Sequence, residues 1–381
     1  MNFRIPLDRV NWLSSGFLTV TFLTAIIGVP IYVSNFGLDL FLVAMFFIGF
    51  FITGISITLG YHRLFSHRSF KAKWPVRLAT LIFGACAFED SALDWSSDHR
   101  KHHKHVDHDD DPYDISKGFF WAHIGWIFFK LYPRPLENVA DLKKDDLVMW
   151  QHRWHRAIAM WVGLGGPAVL GLMWNGWEGA LGGFLIGGVA RVVAVQHCTF
   201  FINSLCHTLG SRPYDSRTSA RDSSFMALFT FGEGYHNYHH SFQHDYRNGI
   251  KNHHFDPTKW TISILAKLGL VYDLRKVSDE KILLAQLRET HRLAEREVAE
   301  MSEARPEELE PCPVWKQAVD KFEEKYAALA SNFSDLEEAV SGGVEVSREL
   351  LASYKSEAAE IVDHLGEMWR LHALAPTSVP A

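Results

Sequence analysis

The chain has 381 residues, of which 48% are apolar and 22% are charged, and its formal net charge is -6. These totals are typical of a globular protein, and the acidic balance excludes the basic field that nucleic-acid binding requires. The charges are distributed unevenly, because Asp39 is the only charged residue between residues 11 and 59. A membrane-embedded first part and a charged, water-soluble tail explain both observations.

Four apolar stretches predict four transmembrane helices, at about residues 13–33, 40–59, 157–177 and 180–203. Their lengths match the roughly 20 residues that cross a bilayer core. Arg191 interrupts the fourth stretch, and a charge at mid-bilayer costs about 2.5–3.5 kcal/mol. We therefore expect Arg191 to face the interior of the helix bundle with a polar partner.

The distribution of Lys and Arg predicts the orientation of these helices. The short loops that join the first stretch to the second and the third to the fourth contain neither residue, whereas the other segments contain many. By the positive-inside rule, both termini are cytoplasmic. The predicted fold is an all-α integral membrane protein, multi-pass, in which two helical hairpins are capped by a cytoplasmic helical domain.

Histidine is unusually frequent, with 21 residues. Ten candidate metal-site residues fall into four groups, which are His62 and His67; His99, His102 and His103; Asn203 and His207; and His236, His239 and His240. An even number of predicted crossings separates these groups, so all of them reach the same membrane face. The predicted site therefore lies at the cytoplasmic end of the bundle.

Spacing and number favour a centre with two metals. Residues at i, i+3 and i+4 share one face of a helix, as in the two histidine triplets. His62 and His67 lie about 140° apart around an α-helix, which suits two adjacent metals better than one. Nine imidazoles exceed the ligands of a four-coordinate zinc site and suggest four or five ligands per metal. Imidazole alone does not choose among Fe, Cu, Ni and Zn.

Asn203 is expected to orient a metal-bound water. Two redox-active metals beside an apolar bundle indicate oxygen chemistry on an apolar substrate.

Around these motifs the chain resembles the membrane-bound fatty acyl-CoA Δ9 desaturases, the stearoyl-CoA desaturase family. The matching stretches are residues 61–72, 95–104, 118–126, 203–207, 212–215, 232–242, 245–249 and 272–277. The resemblance implies an O₂-dependent enzyme that introduces a cis double bond, at Δ9, into a saturated acyl-CoA such as palmitoyl- or stearoyl-CoA. It also implies two iron ions held by the nine histidines, with Asn203 binding through water.

Other roles follow from the same resemblance. Candidate contacts to the substrate are Arg63, Arg68, Lys71, Arg100, Lys104 and Arg212 for the head group, and Trp95 and Trp126 for the wall of an acyl tunnel. Candidate acceptors of the second imidazole N–H are Asp94, Asp98, Asp107 and Glu233.

The resemblance covers roughly residues 10–285, so we predict a desaturase domain at 1–285 and a cytoplasmic helical extension at 286–381. Leu283, Leu287, Ala294 and Val298 recur there at helical spacing, and further helical stretches are predicted near residues 315–333 and 344–372. The tail has no haem signature, so a separate donor of ferredoxin, rubredoxin or cytochrome type, with a reductase, is expected to supply electrons. This absence also favours a bacterial inner membrane over the endoplasmic reticulum.

Two other functions compete with the desaturase. A histidine-rich diiron fatty acid or alkane hydroxylase would use similar metals, but it typically has a different third histidine motif and six crossings. A metal transporter or sensor needs ligands at mid-bilayer, whereas the histidine groups here lie beyond the predicted helix ends.

Overall fold

The computed structural model of the chain describes residues 7–129 and 135–303, together with scattered residues between 324 and 360. The chain divides into two units, one comprising residues 1–211 and 218–276 and the other residues 212–217 and 277–381. Most of the regular structure in the described part is helical, as the sequence predicts. Most of the helical stretch predicted near residues 315–333 and most of that near 344–372 lie outside the described residues.

The first unit contains the long helices and a small sheet. Its helices are α1 (Trp12–Phe36), α2 (Leu40–Ser66), α3 (Trp74–Ala85), α4 (Ala92–His105), α5 (Asp146–His207), α6 (Ser224–Phe229), α7 (His236–Ser241) and α8 (Pro257–Lys267). Shorter helical turns are Leu7–Arg9, Ile115–Lys117, Trp121–Gly125, Trp126–Phe128, Glu137–Val139 and Leu142–Lys144. Strands β1 (Lys71–Ala72) and β2 (Val271–Tyr272) pair antiparallel, with Lys71 opposite Tyr272.

The second unit contains α9 (Asp279–Glu303). Ile282, Leu284 and Leu287 are buried on this helix. The helix predicted from the apolar spacing is therefore present, although its buried residues differ in part from the predicted set.

Three helices in the described part, α1, α2 and α5, are long and apolar enough to cross a membrane. Helix α5 has 62 residues, which is about three times the length of one crossing. The reason is a reversal of the chain inside it. Asn175 and Gly176 leave helical geometry, and Gly176 has a φ of 58°, a left-handed conformation that glycine adopts without strain.

The two limbs of α5 pack closely through glycine. A Cβ atom on Gly171 would lie 1.9 Å from the carbonyl oxygen of Gly179, and one on Gly183 would lie 2.1 Å from that of Pro167. Residues eight apart on a straight helix are about 12 Å apart, so residues 146–174 and 177–207 form an antiparallel helical hairpin. Small residues at such an interface allow the backbones to approach.

Arg191 lies inside this hairpin and is buried. Its guanidinium donates to the carbonyl oxygens of Cys86 at 2.5 Å and Gly163 at 2.6 Å. The expectation of an inward-facing arginine with polar partners is confirmed. One carbonyl belongs to the first limb of α5 and the other lies at the end of α3, so Arg191 joins the second limb to both.

Gly171→Val tests the antiparallel packing of the limbs. The nearest atom is a main-chain oxygen that cannot rotate away, so the new side chain must separate the limbs, at about 1–3 kcal/mol or more. The measurement heats the detergent-solubilised protein and follows its monodisperse peak in size-exclusion chromatography. We expect the peak of the variant to be lost at a lower midpoint temperature than that of the wild type. Gly16→Val is the control, since nothing lies within 4 Å of a Cβ atom there. Equal midpoints for the two variants would contradict the close approach.

Candidate metal centre

Nine histidine side chains converge in the first unit and divide into two clusters. The five-histidine cluster consists of His62, His67, His99, His103 and His239, and the four-histidine cluster consists of His102, His207, His236 and His240. Within each cluster, one ring nitrogen of every member lies within 4.8 Å of those of the others. The structure thus brings together all nine histidines that the sequence singled out.

Helices α4 and α7 each contribute to both clusters. His99 and His103, one turn apart on α4, point to the five-histidine cluster, and His102 points to the other. On α7, His239 belongs to the five-histidine cluster, whereas His236 and His240 belong to the four-histidine cluster. A triplet at i, i+3 and i+4 therefore spans an arc wide enough to serve two sites.

His62 and His67 lie in the same cluster, and the prediction that they serve different metals was wrong. Their ring centroids are 4.7 Å apart. The cause is local, because Ser56–Ser66 is π-helical and the His67 amide donates to the His62 carbonyl oxygen at 3.1 Å. An i→i+5 hydrogen bond makes five residues close to one full turn, so the two side chains share a face.

The facing nitrogens have the spacing of ligands on a metal ion. The closest Nε2–Nε2 distances are 2.7–3.0 Å in the five-histidine cluster and 3.1–3.3 Å in the four-histidine cluster. Metal–imidazole bonds of about 2.0–2.1 Å place adjacent ligand nitrogens roughly 2.8–3.4 Å apart at ligand–metal–ligand angles of about 90–110°. Neutral imidazole has one hydrogen-bond donor and one acceptor. Nine ring nitrogens that point inward therefore cannot all be satisfied by hydrogen bonds to one another. The arrangement fits two metal ions.

Several outward ring nitrogens meet acceptors that fix the orientation of the ring. Asp111 lies 2.9 Å from Nδ1 of His102, and Glu233 lies 2.9 Å from Nδ1 of His62. The Ser219 hydroxyl lies 2.6 Å from Nδ1 of His207 and donates to the carboxylate of Asp107. Such partners leave Nε2 free as the ligand atom and increase its basicity.

These contacts sort the four acceptors expected from the sequence. Glu233 contacts a clustered histidine directly, and Asp107 does so through Ser219. Asp94 instead contacts His152 at 3.2 Å, outside both clusters, and Asp98 is half-buried on α4. Asp111 and Ser219 were missed. Asp111 ends an acidic run typical of a solvated loop, and a lone serine gives no signal at all.

Burial and mutual proximity favour the neutral form of most of the clustered histidines. Desolvation, followed by repulsion from neighbouring imidazoles, lowers the pKa of His67, His99, His103, His236, His239 and His240 well below the ordinary value. Burial acts to raise the pKa of Glu233, but the Arg63 guanidinium and the His62 imidazole together outweigh it and hold that pKa below its usual range. The site thus combines neutral ligands with ionised carboxylates behind them.

Arg63 belongs to the group of residues that lies behind the histidines and contacts their outward-facing partners. It is buried and forms ion pairs with Glu233 at 2.9 Å and Asp256 at 3.1 Å. Its burial corrects the expectation that it contacts the acyl-CoA head group. Arg63 instead holds the carboxylate that lies behind His62.

The other predicted head-group cations differ in accessibility. Arg100 is bonded to Asp141 at 2.7 Å and to the Ser66 carbonyl oxygen at 2.9 Å, so it connects α4 with the end of α2. Arg68, Lys71 and Lys104 are exposed, and Lys71 also pairs with Asp273 at 2.8 Å. Arg212 belongs to the second unit, where it donates to the Ser216 carbonyl oxygen.

Of the two predicted wall residues, Trp95 contacts a clustered histidine directly and Trp126 lies one residue further away. Trp95 stacks on the His99 ring with centroids 4.8 Å apart, and its indole donates to Glu89 at 3.3 Å. Burial raises the pKa of Glu89 to about 8. Trp126 lies 5.0 Å from the ring of Tyr113, which packs on His102 at 4.5 Å.

The metal-free protein is expected to lose stability on acidification. Unfolded histidine takes up a proton below pH about 6.5, whereas the buried imidazoles stay neutral. The free energy of unfolding therefore decreases as the pH is lowered, by up to about 1.4 kcal/mol per pH unit for each such histidine. Thermal unfolding of chelator-treated protein at about pH 7.5 and about pH 5.5 measures this loss. His108→Gln, at an exposed position, should show the same loss as wild type, and equal midpoints at the two pH values would contradict the prediction.

Comparisons with known proteins agree with this geometry. The family model described as fatty acid desaturase matches residues 37–272. The chain is 43% identical over 265 residues to the probable acyl-CoA desaturase of Schizosaccharomyces pombe, covering 69% of this chain and 54% of that protein. It is 39% identical over 283 residues to acyl-CoA desaturase 1 of Saccharomyces cerevisiae, covering 72% and 54%.

A mammalian relative shows the same similarity. The chain is 36% identical over 240 residues to the stearoyl-CoA desaturase of Homo sapiens, covering 61% of this chain and 66% of that protein. Matches to the two yeast relatives span about half of their length. Since the family model covers more than half of the chain, this protein belongs to the fatty acid desaturase family.

Proposed function

We propose that this chain is an O₂-dependent acyl-CoA desaturase that forms a cis double bond at C9 of palmitoyl- or stearoyl-CoA for unsaturated fatty acid biosynthesis. The observation that carries the proposal is the division of nine histidines into two adjacent clusters with their Nε2 atoms inward, in a chain of this family. The names of the relatives supply the substrate class.

Two iron ions are the proposed cofactors. The five-histidine cluster would hold one and the four-histidine cluster the other, with Asn203, which is half-buried one turn before His207, adding a ligand through water. Bound iron would activate O₂ for the removal of two hydrogens from an unactivated methylene pair. In the overall balance, the saturated chain, O₂, two electrons and two protons give one double bond and two waters.

The protein contributes orientation and the exclusion of water. Glu233 and Asp111 hold the rings of His62 and His102, so that the lone pairs converge without rotation. Trp95 covers one side of His99, which makes it a candidate wall for the acyl chain. Arg68, Lys71, Lys104 and Arg212 remain the proposed contacts of the acyl-CoA head group, and Trp126 remains a second candidate wall residue.

For the membrane, we propose four crossings with both termini on the cytoplasmic side. The chain reversal at Asn175 and Gly176 supports two crossings within α5, which with α1 and α2 make four. Residues 1–285 are proposed as the catalytic domain and 286–381 as a cytoplasmic extension, with a separate electron carrier and reductase. The relatives reported above are eukaryotic, so a bacterial inner membrane is not part of the proposal.

Fatty acids of cells that express this chain test the activity. Gas chromatography–mass spectrometry of dimethyl disulfide adducts is expected to show a new monoene with its double bond at C9. His103→Ala removes a member of the five-histidine cluster and should abolish the product, whereas His108→Ala, at an exposed position outside both clusters, should retain it. A hydroxylated product would contradict the desaturase in favour of a hydroxylase, and a monoene that persists in His103→Ala would contradict the assigned site.

A further inference from the structure

Two short helices outside the long apolar helices present apolar side chains outward. On α8 and at the residue that follows it, Trp260, Ile264 and Leu268 follow one another at intervals of four residues and are 42%, 58% and 66% exposed. The opposite side of the helix is packed, since Ile262 is fully buried. A helix whose outer face met water would carry polar residues there.

Helix α6 has the same pattern. Phe225, Leu228 and Phe229 are 61%, 54% and 46% exposed, whereas Met226 and Ala227 are buried. A large aromatic side chain has about 150–250 Å² of surface that can be buried. Together, α6 and the outer face of α8 therefore leave on the order of 500 Å² of apolar surface exposed. This area is comparable to that of the largest apolar patch on a typical soluble monomer, which is often an interaction site.

The segment that follows α6 packs against the apolar surface of α2. Phe231, which follows α6, packs on Phe50 and Phe51 with ring centroids 5.2 Å and 6.0 Å apart. It also fills the space beside Gly54, where a Cβ atom would lie 2.2 Å from its ring. On α2, Phe47 is 62% exposed, so the outward face of α6 continues the surface that a membrane-spanning α2 presents to lipid.

Helix α8 is joined to the same region. The Thr258 hydroxyl lies 2.6 Å from that of Thr58 on α2 and donates to the Phe231 carbonyl oxygen at 2.9 Å. Its other end lies beside α3, because the Lys73 amide donates to the Leu270 carbonyl oxygen at 2.9 Å. Both ends of α8 are therefore fixed to segments that adjoin apolar helices.

The residues at the edge of this surface suit the boundary between lipid and water. Lys73 and Lys267 are exposed and adjoin the exposed Trp74 and Leu268. Tryptophan is enriched at the level of the lipid head groups, and lysine there extends its amine toward water while its stem lies on apolar surface.

We propose that α6 and the outer face of α8 form a membrane-interface surface, seated in the leaflet that adjoins the histidine clusters. It holds the part of the chain that carries the clusters against the bilayer. The inference rests on the membrane embedding of α2 and is independent of the reaction that the protein catalyses.

Site-directed spin labelling tests the surface. Phe225→Cys and Ile264→Cys are labelled in the full chain with Cys198 and Cys312 replaced by serine, then placed in nanodiscs of phosphatidylcholine and phosphatidylglycerol. Electron paramagnetic resonance power saturation compares access to O₂, which concentrates in lipid, with access to a water-soluble nickel chelate. Phe47→Cys serves as the lipid-exposed control and Asn252→Cys, at an exposed loop position, as the water-exposed control.

Labels at 225 and 264 are expected to resemble the label at 47, with greater access to O₂ than to the nickel chelate, and the label at 252 should show the reverse. Access to the chelate at 225 and 264 would overturn the proposal in favour of a water-facing surface. Loss of access to both reagents would overturn it in favour of a protein partner or a second copy of the chain. Monodisperse elution of each labelled variant ensures that only folded protein is compared.

Discussion

The repulsion among the nine inward-facing lone pairs is the constraint on which the rest of the structure depends. Neutral imidazoles with Nε2 atoms about 3 Å apart have no mutual arrangement of donors and acceptors that satisfies them all, and protonation would add charge repulsion. A bound metal removes both costs, since it uses the lone pairs and keeps the rings neutral. The outer carboxylates contribute by fixing which nitrogen carries the proton.

The fold meets this constraint by ending or starting four helices at one place. The end of α2, the end of α4, the end of α5 and the whole of α7 deliver the histidines. Tight glycine contacts hold the limbs of α5, and Arg191 joins them to the end of α3. The buried ion pairs of Arg63 with Glu233 and Asp256 then connect the π-helical end of α2 to residues more than 150 positions later.

The sequence singles out the histidine set that the structure brings together, because a repeated spacing of chemically distinctive residues is recognisable without knowledge of the backbone. It fails for His62 and His67 because the argument assumes an α-helix, and only the structure reveals the π-helical segment. Arg63 was expected to bind substrate, since a cation beside a histidine motif carries no sign of its burial. Asp111 and Ser219 act through loops, where spacing does not determine which side chains meet.

Metal analysis of purified protein tests the central claim most directly. With ⁵⁷Fe supplied during expression, the wild type is expected to hold two iron ions per chain, and His67→Ala and His236→Ala to lose iron from the five- and four-histidine clusters respectively, whereas His108→Ala keeps both. Mössbauer spectra should show two sites in the wild type and a different residual site in each cluster variant. A single iron in the wild type, or the same spectrum from both cluster variants, would contradict two separate histidine-held sites.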